Sequence, residues 1–271
     1  MSRQRHGKLA LARWALLAAL IFAPALRMHA QADLGNQAAA TGSPRAVAPL
    51  DLTGYWVSVV TEDWRFRMIV PDKGDFASVP LNPEGKRVAG LWDPAKDQAD
   101  GNQCRSYGAA GLMRVPGRLH ITWANDNTLR VDTDSGTQTR LFHFGGSVPA
   151  KEAPNWQGYS VASWEATGPS NIGLGPGQKT GDNRQGYLKI LTSNLRAGYL
   201  RKNGVPYSAN AALEEYFDSF KERNGDTWLV VTTIVTDPLY LVQPFITSSH
   251  FKKLPDASGW DPTPCRTNEP R

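Results

Sequence analysis

The chain has 271 residues, with 30 Lys and Arg against 25 Asp and Glu. Five of those bases, Arg3, Arg5, Lys8, Arg13 and Arg27, lie in the first 32 residues, which hold no acid, so the remainder is neutral with His uncharged. That balance lacks the basic footprint of a nucleic-acid binder, and after residue 32 no apolar run nears the roughly 18 residues of a membrane helix.

Residues 1–32 read as a secretory leader. A positive start precedes the apolar stretch Trp14–Leu26, and Ala30-Gln31-Ala32 forms a small-x-small cleavage site. The expected location is the periplasm or the cell exterior, with no integral membrane segment after cleavage. Residues 33–50 are rich in Ala, Gly, Ser and Pro without periodicity and read as a flexible linker. Residues 51–271 read as a single domain.

Within that domain, Gly54–Thr61 and Trp64–Val70 read as strands. In the second, Trp64, Phe66 and Met68 are expected to be buried together, with Asp63, Arg65 and Arg67 on the other face. One short helix is expected after it. Asn82 caps it, Pro83 takes its first position, Val88, Leu91 and Trp92 share a face, and Pro94 limits it. Arg118–Trp123 alternates, with Leu119, Ile121 and Trp123 on one face and His120 on the other. Thr128–Thr133 and Thr137–Phe144 flank Asp134-Ser135-Gly136, a hairpin signal. Gln157–Glu165, Gly186–Leu195, Ala212–Phe220, Thr227–Thr236 and Phe245–Lys252 complete the strands. Between two of them, Gly173–Gly181 reads as a loop able to act as a lid, since its Lys179 lacks the context of a phosphate loop. The pattern predicts a mostly β chain, an antiparallel barrel or sandwich with one short helix.

Gly54-Tyr55-Trp56 resembles the opening of lipocalins and related calycin barrels, where the Gly bends the chain into the first strand and the Trp closes one barrel end. The resemblance implies a lipocalin-like barrel. The whole chain is also similar to uncharacterised secreted bacterial proteins on such barrels, which implies no particular activity.

Cys104 and Cys265 are the two cysteines. In an oxidising compartment an even count points to a disulfide, and no Cys-x-x-Cys redox spacing occurs. His120, His143 and His250 lack the paired spacing of a metal site, and no Gly-x-Ser-x-Gly elbow is present. Neither a metal nor a cofactor is expected.

A closed barrel offers a cavity, so the expected function is binding of a small, largely apolar molecule. Trp64, Trp123 and Trp164 would line the site, and Arg67 and Arg140 would grip a carboxylate. For Arg140 the hairpin register decides. A two-residue turn sets Val131 against Arg140 and turns it inward; a three-residue turn sets Arg130 against Arg140 outside. An inward Arg140 is expected to tolerate replacement by Met. The alternatives are a cofactor-independent isomerase, hydratase or lyase using Glu62, His120 or Glu165 as acid or base, or an envelope structural protein. Oligomeric state and ligand identity stay open at this level.

Overall fold

The computed structural model describes residues 42–149, 151–166 and 186–271; the expected Gly173–Gly181 lid lies outside them. Nine strands close into a barrel. Around the ring they run β1 (Gly54–Val59), β11 (Phe245–Leu254), β10 (Thr227–Thr236), β9 (Ala212–Lys221), β6 (Gly186–Ser193), β5 (Tyr159–Ala166), β4 (Thr139–Phe144), β3 (Thr128–Thr133) and β2 (Arg118–Asn125), which returns to β1. A closed barrel is compatible with the lipocalin-like expectation.

An odd ring cannot alternate direction throughout, so at least one neighbouring pair must be parallel. Here it is β4 and β5, with Phe142 opposite Ser160. The other neighbours pair antiparallel. The all-antiparallel expectation is corrected at this one seam, and the long connection from Phe144 to Tyr159 is the crossover that a parallel pair requires.

The period of two decides what faces inward. Trp56, Leu119, Ile121, Leu129, Val131, Phe142, Ile190, Phe217 and Val231 are buried in one core that fills the bore. The β3–β4 register sets Leu129 opposite Phe142 and Val131 opposite Arg140. That is the register of a turn centred on Ser135-Gly136, and Arg140 faces inward. Gly136 has φ 75°, and a Cβ there would meet the Tyr107 ring at 2.2 Å. Gly54 enters β1 at φ 111°, and Trp56 behind it is wholly buried, its Nε1 donating to the Leu52 carbonyl at 2.9 Å.

The run Trp64–Val70 is not a strand. Trp64–Arg67 forms one helical turn, α1, with Met68 N donating to the Trp64 carbonyl at 2.8 Å. Its burial departs from the expectation at three positions: Trp64 is 60 % and Met68 50 % exposed, whereas Arg67 is 3 % exposed; Asp63 and Arg65 are exposed as expected. Nor is there a single helix. Among the described residues α1 is followed by α2 (Pro83–Ala89), α3 (Pro94–Ala99), a 3-10 turn (Gln103–Tyr107) and α4 (Ala109–Leu112). The Asn82 cap and Pro83 start hold, with Asn82 accepting from Gly85 N at 2.8 Å. Leu91 lies beyond the helix and is exposed. Pro94 opens α3 directly, capped by Asp93.

These helices lie between β1 and β2 and cap one end of the barrel. The hairpin β7 (Gly198–Arg201) and β8 (Val205–Tyr207) packs among them against α2, α4 and the 3-10 turn. A second core of Leu81, Ala110, Leu200, Val205, Leu213, Val235 and Phe245 seals cap to barrel. Cys104 in the cap is disulfide-bonded to Cys265 in the C-terminal tail, 161 positions away. At the other end the chain from residue 42 already covers the barrel. Arg45 N donates to the Asp126 carbonyl at 3.2 Å, and Leu50 packs on the bore core. Packing therefore starts upstream of Asp51, where composition set the boundary. No helix among the described residues is long and apolar enough to cross a membrane.

Candidate functional site

At the end opposite the helical cap, three inward-facing positions on β2, β4 and β5 place Trp123, Phe144 and Trp164 together. Their ring centroids are 5.5 Å (Trp123–Phe144), 5.3 Å (Phe144–Trp164) and 6.5 Å (Trp123–Trp164) apart. All three remain half-buried. The segment entering β1 holds this edge, with Trp164 Nε1 donating to the Pro44 carbonyl at 2.8 Å. Beside the cluster lies a recess of about 370 Å³, lined by Trp123, Leu50, Pro49, Arg45, Asp51 and Thr53. Such a volume lies near the lower end of small-molecule sites.

One rung deeper, Phe142 and Phe217 meet edge to face across the bore at 5.4 Å. Deeper again, Arg140 from β4 reaches Glu215 from β9 through two hydrogen bonds, Nη1 to Oε1 at 2.9 Å and Nη2 to Oε2 at 2.5 Å. Thr192 and Ser160 accept from the same Nη2 at 3.2 and 3.5 Å, and Thr233 donates to Glu215 at 3.4 Å. Both charged side chains are fully buried. Arg140 thus faces inward as its register requires, but its carboxylate is Glu215 of the same chain. Its Nη groups are held by protein partners, its buried Nε has none among the described residues, and the Phe142–Phe217 rung lies between it and Trp123 and Trp164.

The other proposed site residues lie elsewhere. Trp64 is exposed on α1, outside the barrel. Arg67 is buried in the cap, paired with Glu62 and donating Nε to the Arg114 carbonyl at 2.8 Å and Nη2 to Ser58 at 3.1 Å. Glu62 also faces His250 Nδ1 at 3.3 Å. His120 points outward and stacks flat on Tyr55, centroids 4.1 Å apart. Glu165 points outward on β5 and accepts from Ser163 at 3.0 Å. No hydrogen bond or ion pair among the described residues joins any two of Glu62, His120 and Glu165, so no acid–base pair forms from them. His143 stacks on Tyr159, and no cluster of metal-ligating side chains occurs among the described residues.

Sequence reasoning missed a group of cations in the cap. Arg67, Arg114, Arg201 and Lys202 converge from α1, the end of α4 and β7. Burial pushes the Arg67 guanidinium below its usual value, with Glu62 opposing. Burial and the neighbouring Arg114 push Arg201 down to about 10. Lys202 is driven by burial down to about 7 although its Nζ donates to Tyr107 Oη and the Glu269 carbonyl, both at 2.6 Å. Between about pH 7 and 10 the unfolded chain therefore holds a proton that the folded chain has shed, so stability rises with pH across that window. Urea midpoints should climb from pH 7 to about 9.5 in the native chain, and much less in Lys202→Met. An equal climb in both would assign the effect to another group.

Compared with protein-family models, curated proteins and solved structures, the chain matches none.

Proposed function

We propose that the chain is a secreted or periplasmic protein that binds a small, largely apolar molecule at the aromatic end of its barrel. The observation that carries this reading is the half-buried group of Trp123, Phe144 and Trp164 beside a recess of about 370 Å³. Trp123 forms part of the recess wall, with Phe144 and Trp164 packed against it, and a flat ring there gives contact area at little entropic cost. The leader of residues 1–32 and the Cys104–Cys265 bond support an extracytoplasmic location. Because the bore is occupied, the ligand would sit on the barrel end and not inside it.

The test is a fluorescence titration with the neutral apolar probe N-phenyl-1-naphthylamine. Saturable quenching of the tryptophan emission is expected, with a matching rise in probe fluorescence. Trp123→Leu should weaken the probe by about tenfold, the scale of one lost aromatic contact, while circular dichroism confirms the fold. A specific observation favours one other reading: side chains fill the bore, as in a barrel whose role is structural. Absence of saturable binding would put that envelope-structural role ahead. An isomerase, hydratase or lyase has less support, since its candidate residues stand apart.

A further inference from the structure

We infer that the cap carries a second site, independent of the aromatic end, that binds an oxyanion: a carboxylate or phosphate group on a small molecule. Its walls come from α1, α4, β7 and the C-terminal tail, with Arg67, Arg114, Arg201, Lys202, Ser106 and Pro270 among the lining residues. The cavity holds about 30 Å³. Roughly 10–15 Å³ admits one water, so this is room for a small polar head and not for a whole organic ligand.

Three observations converge. First, the cations are buried: Arg67, Arg114, Arg201 and Lys202 are 3 %, 6 %, 4 % and 8 % exposed. Buried charges are ordinarily paired. Glu62 pairs with Arg67 and Asp63 with Arg114, but among the described residues no carboxylate pairs with Arg201 or Lys202. The other acids near them are taken by exposed cations, Asp75 by Arg65 and Glu269 by Arg266, both at 2.7 Å. Arg201 alone thus leaves the local charge positive, even where Lys202 has shed its proton.

Second, donors stay unfilled. Arg114 Nη2, Arg201 Nε and Arg201 Nη2 are buried with no hydrogen-bond partner among the described residues. A buried unsatisfied donor on a charged group costs a few kcal/mol, and three lie in one cavity wall. The bland account of Arg201 is that stacking holds it, for its guanidinium lies over the Phe66 ring at 4.1 Å and its Nη1 donates to the Ala77 carbonyl at 2.6 Å. Stacking satisfies the face of the guanidinium. It leaves the in-plane edge formed by Nε and Nη2 empty, and that edge is the fork that takes a carboxylate or phosphate through two parallel bonds.

Third, the rim is apolar. Ile69 lines the cavity mouth at 57 % exposure, and Trp64 and Met68 on the same segment are exposed too. An oxyanion carried on an apolar body fits this combination better than a fully hydrated ion.

The experiment is calorimetric titration of the disulfide-intact chain with inorganic phosphate, octyl phosphate and octanoate at fixed ionic strength. Saturable binding of at least one probe is expected. Phosphate alone would mark a free oxyanion as the ligand, tighter octyl phosphate an alkyl phosphate, and octanoate a carboxylate. Arg201→Met should abolish binding and leave the unliganded melting temperature unchanged or higher, because an uncompensated buried charge is removed. Arg201→Lys should bind about tenfold more weakly, since a point charge replaces a fork. Arg130→Gln, on the outer barrel wall, should bind as the native chain does. The inference fails if no probe saturates, if Arg201→Met binds normally, or if Arg201→Met lowers the melting temperature without changing affinity, which would make Arg201 a structural stack. These outcomes are read without the apolar probe, so failure here and failure at the aromatic end are separable.

Discussion

Glu215→Gln should destabilise the barrel by about 3–5 kcal/mol in urea denaturation, the range for breaking a buried ion pair from one side. Glu215 and Arg140 have no exposed side-chain surface and bridge strands β9 and β4 across the bore. The glutamine keeps the shape and one acceptor but leaves the Arg140 charge uncompensated in an apolar interior, beneath the Phe142 ring at 4.9 Å. The hydroxyls of Thr192 and Ser160 accept from Arg140 but carry no charge. Arg140→Met should be comparably damaging, since it strands the Glu215 carboxylate with only Thr233 at 3.4 Å. That reverses the expectation that Met would be tolerated there, which rested on Arg140 having no partner. The double variant Arg140→Met with Glu215→Leu should recover most of the loss, because exchange of a whole buried pair for apolar groups is often neutral or better. If the double variant is as unstable as the singles added together, the charge account is wrong and packing governs the layer.

The barrel was legible where one face is buried and the other wet. On β2, Leu119, Ile121 and Trp123 point in while His120 points out, and β3 and β10 match their expected bounds. At the hairpin the sequence left a two-residue and a three-residue turn equally open, and only the strand pairing, with Val131 opposite Arg140, decides between them. Other features left no local trace. Trp64–Val70 alternates like a strand, but a run of seven residues is too short for periodicity to separate strand from helix, and the left-handed Asp63 (φ 50°) starts a helical turn instead. β7 and β8 are buried on both faces, so nothing alternates to reveal them. The Arg140–Glu215 pair joins positions 75 apart, and the cap cations come from positions 67, 114, 201 and 202. Such charges become neighbours only through closure of the barrel and docking of its cap. The sequence could place Trp123 and Trp164 inward, but their meeting with Phe144 needs the parallel seam between β4 and β5, which a count of strands reveals only after the ring is known to be closed.

Replacing both cysteines by Ser should lower stability by about 4–5 kcal/mol, as expected for a closed loop of this length in the chain-entropy model. For a domain of this size that corresponds to a fall in melting temperature on the order of 10–15 °C. Cys104–Cys265 joins cap to tail over 161 positions. The tail has further holds: Arg271 Nη2 reaches Asp134 at 2.9 Å, Arg266 N donates to Tyr107 Oη at 3.1 Å, and Thr263 N donates to the Asp134 carbonyl at 2.9 Å. Two origins of the loss can therefore be told apart. If the bond acts by restricting the unfolded chain, the double Ser variant keeps these contacts, and the native state resists trypsin at Arg266 as before. If the bond itself pins the tail, Arg266 is cut early, well below the melting transition. The first result is expected, because the remaining contacts span the tail from Thr263 to its end. A Ser variant that melts within about 1 °C of the oxidised chain would show that neither mechanism contributes.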